Sequence, residues 1–504
     1  MKLALLLFAS LNLFRVASDK LELNPLVYKA EYAVRGFLLD RAMEIEADLR
    51  NAESAKKWPF QKIVRCNIGN PAALGQTPPE FAREVLSLVV NQNLLNSIEN
   101  DDNLKYLFAS EIIERARYYS NGMTGGIGAY TDSKGLRIVR DEIVQFIQNR
   151  DGYPSDPESI FLTDGASGAA KLIIQLIMRG PGDALLAPAP SYPLYSALAA
   201  LSNGTIASYY LDEAKQWDAP VKEIERAYND AIANGQTPRA LVVINPGNPT
   251  GASLSRSALE DIVRFCQRNH VVLLADEVYQ ENVYTGAPPF ISFKQIVRDL
   301  RADDVTLASF HSISKGFTGE CGLRGGYMEL ANLDPEAMTQ LLKLASLTLC
   351  ANVIGQLAVG LMVHPPASNQ IAAKYTKDRD EKLASLERRA LKIAKALDAL
   401  PGISCDKAQG AMYLFPNIDI PPLAVAAARK RNLQPDAFYA LNLLEATGLV
   451  VVPGSGFGQL NGTWHFRTTF LPPEDDIDVV ISTIGDFHHA FLTRYAESTH
   501  THEL

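Results

Sequence analysis

An α/β fold with a mostly parallel sheet, followed by a smaller α+β domain, is what this sequence predicts, and three observations carry the prediction. From residue 160 onward, short runs of buried-type residues alternate with helix-length amphipathic stretches, the rhythm of a parallel sheet covered on both faces. Several of those runs end in Gly, Asn or Asp, at the strand ends where open α/β sheets bind ligands. Beyond a long charged helical stretch at 368–399, short β-rich segments take over, with a helix between them. At 504 residues the chain exceeds one typical core, so two domains are expected.

The N-terminal part reads as two pieces. Met1 and Lys2 precede an apolar run at 3–14, with small residues Ala17 and Ser18 behind it, so residues 1–25 read as a targeting segment. Twelve apolar-rich residues are too few to span a bilayer, and no membrane insertion of the mature chain is expected. The terminal Thr501-His502-Glu503-Leu504 resembles an ER-retention signal. A soluble cytosolic or organellar protein is expected, with a secretory route left open. Residues 26–100 are expected to pack with the small domain. Leu39 to Ala55 has helical spacing, KIVRC is a short strand, and Gly69-Asn70-Pro71 is a turn.

The large domain is expected over 101–365 and the small one over 366–504. Helices are expected near 79–97, 103–117 and 136–150, with a Gly- and Tyr-rich loop at 118–135 whose length marks it as functional. SIFLTDGASG is a strand, a tight turn at Gly165, Ala166 and Ser167, and the start of a helix whose N–H groups suit a single phosphate. ALLAPAPSYPLY leads a strand into Tyr192 and Tyr195. NPGNPTG presents the Asn248 amide at a strand end. VVLLADEVY ends in Asp276, with Tyr279 three positions later; Asp276 also reads as a helix N-cap.

VTLASFHSISKGFTGECGLRGGYM carries Ser312, Lys315 and, nine positions on, Arg324. An isolated loop lysine is usually a solvated one. At a strand's end among glycines it could instead form a Schiff base with a carbonyl cofactor. Arg467, in WHFRTTF, reads as a rigidly held strand residue or a surface one. The net charge of −9 argues against nucleic-acid binding. Five scattered cysteines without C-x-x-C spacing indicate neither a disulfide framework nor a metal site, and Cys321 reads as a bystander.

Together NPGNPTG, DEVY, SISKGFTGECGLRGG and GSGFG with HFRTTF resemble the pyridoxal-phosphate-dependent aminotransferases of fold type I, over roughly residues 60 to 490. Within the family, NPGNPTG together with GECGLRGGY is most similar to the alanine aminotransferase branch. The resemblance implies the three-layer fold of that family, pyridoxal 5'-phosphate as cofactor, and a homodimer. It implies that Lys315 is catalytic; that Gly165, Ala166, Ser167, Ser312 and Arg324 hold the phosphate; and that Tyr130 reaches the phosphate of the neighbouring subunit. It further implies Asp276 at the pyridine nitrogen, Asn248 and Tyr279 at the ring oxygen, and Tyr192 stacked on the ring. Arg467, with Gly69 and Asn248, would bind the substrate carboxylate. Reversible amino transfer between L-alanine and 2-oxoglutarate is then expected. The alternatives are a glyoxylate-accepting aminotransferase and a pyridoxal-phosphate lyase such as aminocyclopropane-carboxylate synthase. Some relatives place the phosphate arginine eight positions after the lysine; the extra residue here lies in TGECG.

Overall fold

The structure is a computed structural model that describes residues 21–30, 32, 36–101 and 103–496. The signal-like stretch at 3–18 and the terminal THEL lie outside the described residues. A short strand, β1 (Val64–Arg65), follows the first helices of the chain. Seven strands then form the main sheet: β2 (Ile160–Thr163), β3 (Asp183–Ala189), β4 (Thr205–Tyr210), β5 (Thr237–Ile244), β6 (Val272–Asp276), β7 (Leu307–Ser312) and β8 (Gly326–Ala331), in the order β2-β8-β7-β6-β5-β3-β4. Strands β3 to β7 pair in parallel, and β8 runs antiparallel to both β2 and β7.

Side-chain alternation explains the three layers. On one face Leu185, Val242, Leu274, Phe310 and Met328 pack with Ala169, Ile173 and Leu341 from helices Ala166–Ile177 and Pro335–Ser346. On the other, Leu186, Leu241, Val243, Leu273 and Ala275 pack with Ile224, Leu259, Ile262 and Phe293. Strands buried on both faces must be apolar throughout, which is why these segments read as continuous hydrophobic runs. Their C-terminal ends are where that rule relaxes and polar residues appear. The family's three-layer α/β architecture is present.

The small domain is built from β9 (Ile403–Ser404), β10 (Tyr413–Leu414), β11 (Asn417–Ile418), β12 (Leu449–Val450), β13 (Val452–Pro453) and β14 (Phe466–Thr469). β14 lies between β10 and β13, antiparallel to both, and β12 pairs in parallel with β1. The helix Asn369–Asp398 joins the two domains: Leu386, Ala390, Ile393 and Leu397 enter the small-domain core, while Ile371 and Tyr375 pack against the large-domain core. Among the described residues no helix is long and apolar enough to cross a membrane.

The N-terminal segment does not act as one unit over 26–100. Helix Phe37–Leu49 places Leu38, Ala42 and Ile45 in the small-domain core. Helices Glu80–Val90 and Gln92–Asn100 instead bury Phe81, Val85, Leu88, Leu95 and Ile98 with Ile112, Val139 and Leu357 of the large domain. The change of partner therefore precedes Glu80. The stretch expected as one helix at 79–97 is two, because the Asn91 side chain accepts a hydrogen bond from Leu94 N (3.1 Å) and caps the second.

Candidate active site

The C-terminal ends of β5, β6 and β7 meet β10, β14 and the Gly69 turn in one cleft. Lys315 follows the buried strand β7 by three residues, and its Nζ donates to the Gly69 carbonyl at 2.7 Å. It also lies 5.8 Å from the centre of the Tyr279 ring. Glycine is required at 69 by close approach: a Cβ there would sit 2.1 Å from the Tyr413 hydroxyl and 3.0 Å from Lys315 Nζ. Lys315 is partly buried, so the solvated-lysine reading fails for a physical reason. The loop packs against the segment after Gly69, where Gln76 Nε2 donates to the Phe317 carbonyl at 2.7 Å.

Asp276 ends β6 and is buried. Its Oδ2 accepts from the Tyr195 hydroxyl at 2.7 Å, while Oδ1 is buried without a partner. Burial raises its pKa, against the lowering effects of the Tyr195 and Val278 hydrogen bonds and the Lys315 charge. No helix follows it, so the N-cap reading does not apply. A buried carboxylate with one oxygen fixed and the other free is placed to meet a cationic N–H.

The Gly165 turn forms a small nest beside Arg324. Gly165, at φ +73°, precedes helix Ala166–Ile177, and Arg324 donates to the Asp164 carbonyl at 2.8 Å and to Ser167 Oγ at 3.2 Å. A Cβ on Gly165 would sit 2.5 Å from Arg324 Nη2. The longer TGECG loop is taken up by a 3₁₀ turn at Cys321–Leu323 and by Arg324 itself in the left-handed region (φ 55°). That backbone turn still aims the guanidinium at the nest. Buried Ser312 accepts from Ser314 N at 3.3 Å.

Arg467 lies on β14 and is 1% exposed, so its surface reading is also wrong. Nη1 donates to Asn248 Oδ1 (2.8 Å) and Nη2 to the Asn67 carbonyl (2.5 Å). With Asn248 Oδ1 engaged, its NH₂ is the group left to donate to a ligand. Arg467 Nε and Asn67 Oδ1 are buried without partners.

Tyr192 bonds through its hydroxyl to the Tyr32 hydroxyl at 2.5 Å. Tyr130 is 76% exposed and is not drawn into this cleft. Cys321 is more than a bystander in position: its Sγ donates to the Ser314 carbonyl at 3.0 Å, beside the Gly69 carbonyl that holds Lys315. Tyr195, Tyr32, Asn67 and Tyr413 join the site without having been expected there. Only Tyr195 carried a local signal, three residues after Tyr192.

One more group supports the lysine loop. The carboxyl of Glu281 is enclosed, with Oε2 buried and unpartnered, and it lies 2.2 Å from where a Cβ on Gly316 would be. Burial pushes its pKa up to about 7, against the Phe317 N–H bond and the Arg379 charge. Between the usual carboxylate value and about 7 the folded chain holds a proton that the unfolded chain has lost. This contribution is therefore complete below the usual value and disappears as pH rises through about 7. The stability advantage of Glu281→Gln over the native protein should grow by about 2–3 kcal/mol between pH 4.5 and 8, at 1.36 kcal/mol per unit. Denaturant unfolding at the two pH values checks it.

These residues fit pyridoxal 5'-phosphate. The unpartnered Asp276 Oδ1 suits a protonated ring nitrogen, the Gly165 turn and Arg324 suit a phosphate, and Lys315 offers an amine in the same cleft. Residues 85–484 match the family of class I and II aminotransferases, and the chain belongs to it. Members of that family use pyridoxal 5'-phosphate. The chain is 49% identical over 475 residues to a probable mitochondrial alanine aminotransferase of Dictyostelium discoideum, covering 93% of this chain and 88% of that one. It is 44% identical over 483 residues to glutamate–glyoxylate aminotransferase 1 of Arabidopsis thaliana, covering 95% and 97%. Its fold is similar to that of an alanine aminotransferase from Pyrococcus furiosus, with a TM-score of 0.72, 26% identity, and 93% and 100% of the two chains covered.

Proposed function

We propose that this chain is a pyridoxal-phosphate-dependent alanine aminotransferase, moving the amino group of L-alanine reversibly to 2-oxoglutarate to give pyruvate and L-glutamate in a ping-pong cycle. The observation that carries the reading is the meeting of an amine (Lys315), a buried carboxylate (Asp276) and a buried arginine (Arg467) in one cleft. Bound pyridoxal phosphate supplies the carbonyl that takes the amino group and a protonated ring that accepts the electron pair left at Cα.

The chain's own residues do the rest. Gly165, Ala166, Ser167, Ser312 and Arg324 would hold the phosphate by N–H, hydroxyl and guanidinium donors. Asp276, kept in place by Tyr195, would retain the proton on the ring nitrogen. Asn248 and Tyr279 would donate to the ring oxygen, and Tyr192 would cover the ring face. Arg467 would grip the substrate carboxylate, with the Gly69 turn leaving room beside it, and so orient the Cα–H bond. Lys315, once released from the cofactor carbonyl, would carry the proton away from Cα. The Gly69 carbonyl would accept from that amine whenever it is free.

Exposure of Tyr130 supports a homodimer in which this residue serves the partner's site. An organellar location is supported by the mitochondrial name of the Dictyostelium relative. A glyoxylate acceptor is the second reading, favoured by the 44% identical Arabidopsis enzyme. A coupled assay with alanine and a panel of keto acids decides. The highest kcat/KM should fall to 2-oxoglutarate, and a higher value for glyoxylate would replace the first reading with the second.

A further inference from the structure

We infer that Tyr413 is a positioning residue for substrate binding: its ring fixes the plane of Arg467 while its hydroxyl holds Tyr279. The inference rests on the proposed function and adds a residue to its site.

The strand register creates the contact. Tyr413 on β10 pairs with Thr469 on β14, so Arg467, two residues along β14, is its diagonal neighbour on the same face. The Arg467 guanidinium carbon lies 4.2 Å from the centre of the Tyr413 ring and 4.8 Å from that of Phe457. A guanidinium in contact with two rings, with its ends donating to Asn248 and Asn67, is held against rotation. A carboxylate needs that plane fixed to be gripped by two parallel hydrogen bonds.

The hydroxyl faces the other half of the site. Here Tyr279 donates to the Tyr413 oxygen at 3.3 Å, with the rings 6.1 Å apart and nearly perpendicular; with the ring oxygen taking the Tyr279 proton, Tyr413 would become the donor of that pair. The same oxygen packs against Gly69, whose carbonyl accepts from Lys315. One small-domain side chain thus touches the carboxylate clamp, the group assigned to the ring oxygen and the turn that holds the lysine. Among the described residues, the charged and titratable groups facing it include Lys315, Arg467, Tyr279, Cys321 and Tyr192. Burial raises the pKa of Tyr413, but the two cations and the Tyr279 hydrogen bond bring it below the ordinary tyrosine value.

Two substitutions separate the ring from the hydroxyl. The holoenzymes of Tyr413→Phe and Tyr413→Leu are compared with the native protein by calorimetric binding of propionate, a carboxylate that cannot react. Steady-state kinetics and the pH dependence of visible absorbance are measured alongside. In Tyr413→Leu the propionate Kd and both KM values should rise roughly tenfold, with kcat changed much less, because a desolvated cation–ring contact is lost. Tyr413→Phe should restore propionate affinity and yet shift the midpoint of the absorbance transition, because Tyr279 loses its partner. Native propionate binding in Tyr413→Leu overturns the ring's role, and an unshifted transition in Tyr413→Phe overturns the hydroxyl's. If the leucine variant fails to fold, propionate binding by Tyr413→Phe decides the ring's role, since a marked loss there with the ring retained contradicts it. A native protein that neither binds propionate nor turns over alanine would instead refute the proposed function.

Discussion

Lys315→Ala should lose turnover by about 10⁴-fold or more, at or beyond the upper end of the roughly 10²–10⁴-fold a positioned acid–base group contributes. The purified variant should also lack the visible absorbance of cofactor bound covalently to the native protein. Two features make the effect large. Lys315 Nζ is held at 2.7 Å by the Gly69 carbonyl, so the free amine is already placed in the cleft, and Asp276 lies close enough to feel its charge. Lys315→Arg should not recover activity, because a guanidinium stays protonated and cannot act as the nucleophile or as the base. Single-turnover kinetics with alanine measure the loss. Full activity in either variant would remove Lys315 from the chemistry.

Arg467→Ala should raise the KM for both alanine and 2-oxoglutarate by roughly 10²-fold or more, since removing one partner of a buried, hydrogen-bonded charge pair costs about 2–5 kcal/mol. Both substrates should suffer alike, because both present an α-carboxylate to the same group. The substitution also strips the donor from Asn248 Oδ1 and from the Asn67 carbonyl. A lower thermal midpoint should therefore accompany the kinetic change, buried unpaired acceptors costing about 1–3 kcal/mol each. Arg467→Lys keeps the charge without the planar fork, and should recover only part of the affinity. An unchanged KM in Arg467→Ala would mean that another group binds the carboxylate.

How much of this was legible follows from where each signal resides. The βα rhythm marked β2, β3 and β5 to β7, because strands buried on both faces must be apolar throughout and their polar ends stand out. Gly165, Asn248, Asp276 and Lys315 sit at such ends or just after them, and Arg324 lies two residues before β8. Tyr195 and Tyr32 were hidden because they act across the sheet: Tyr195 meets Asp276 from 81 residues away, and Tyr32 meets Tyr192 from 160. Asn67 was hidden for a sharper reason, since its backbone carbonyl, not its side chain, meets Arg467 from 400 positions away. Tyr413 reads in sequence as an ordinary core aromatic in GAMYLF; only the register of β10 on β14 places it beneath the arginine. The N-terminal helices were assigned to the wrong neighbour beyond residue 79, because amphipathic spacing gives an apolar face and not its partner.

The central claim is that the donor's amino group would stay with the holoenzyme, on its bound cofactor, between two half-reactions, with Lys315 as the group that moves the proton. Its most direct test is to mix the holoenzyme with L-alanine and no keto acid, then measure pyruvate. A single equivalent of pyruvate per subunit is expected, followed by an equal amount of glutamate once 2-oxoglutarate is added. Pyruvate that forms only when both substrates are present, or that keeps forming from alanine alone, would contradict it.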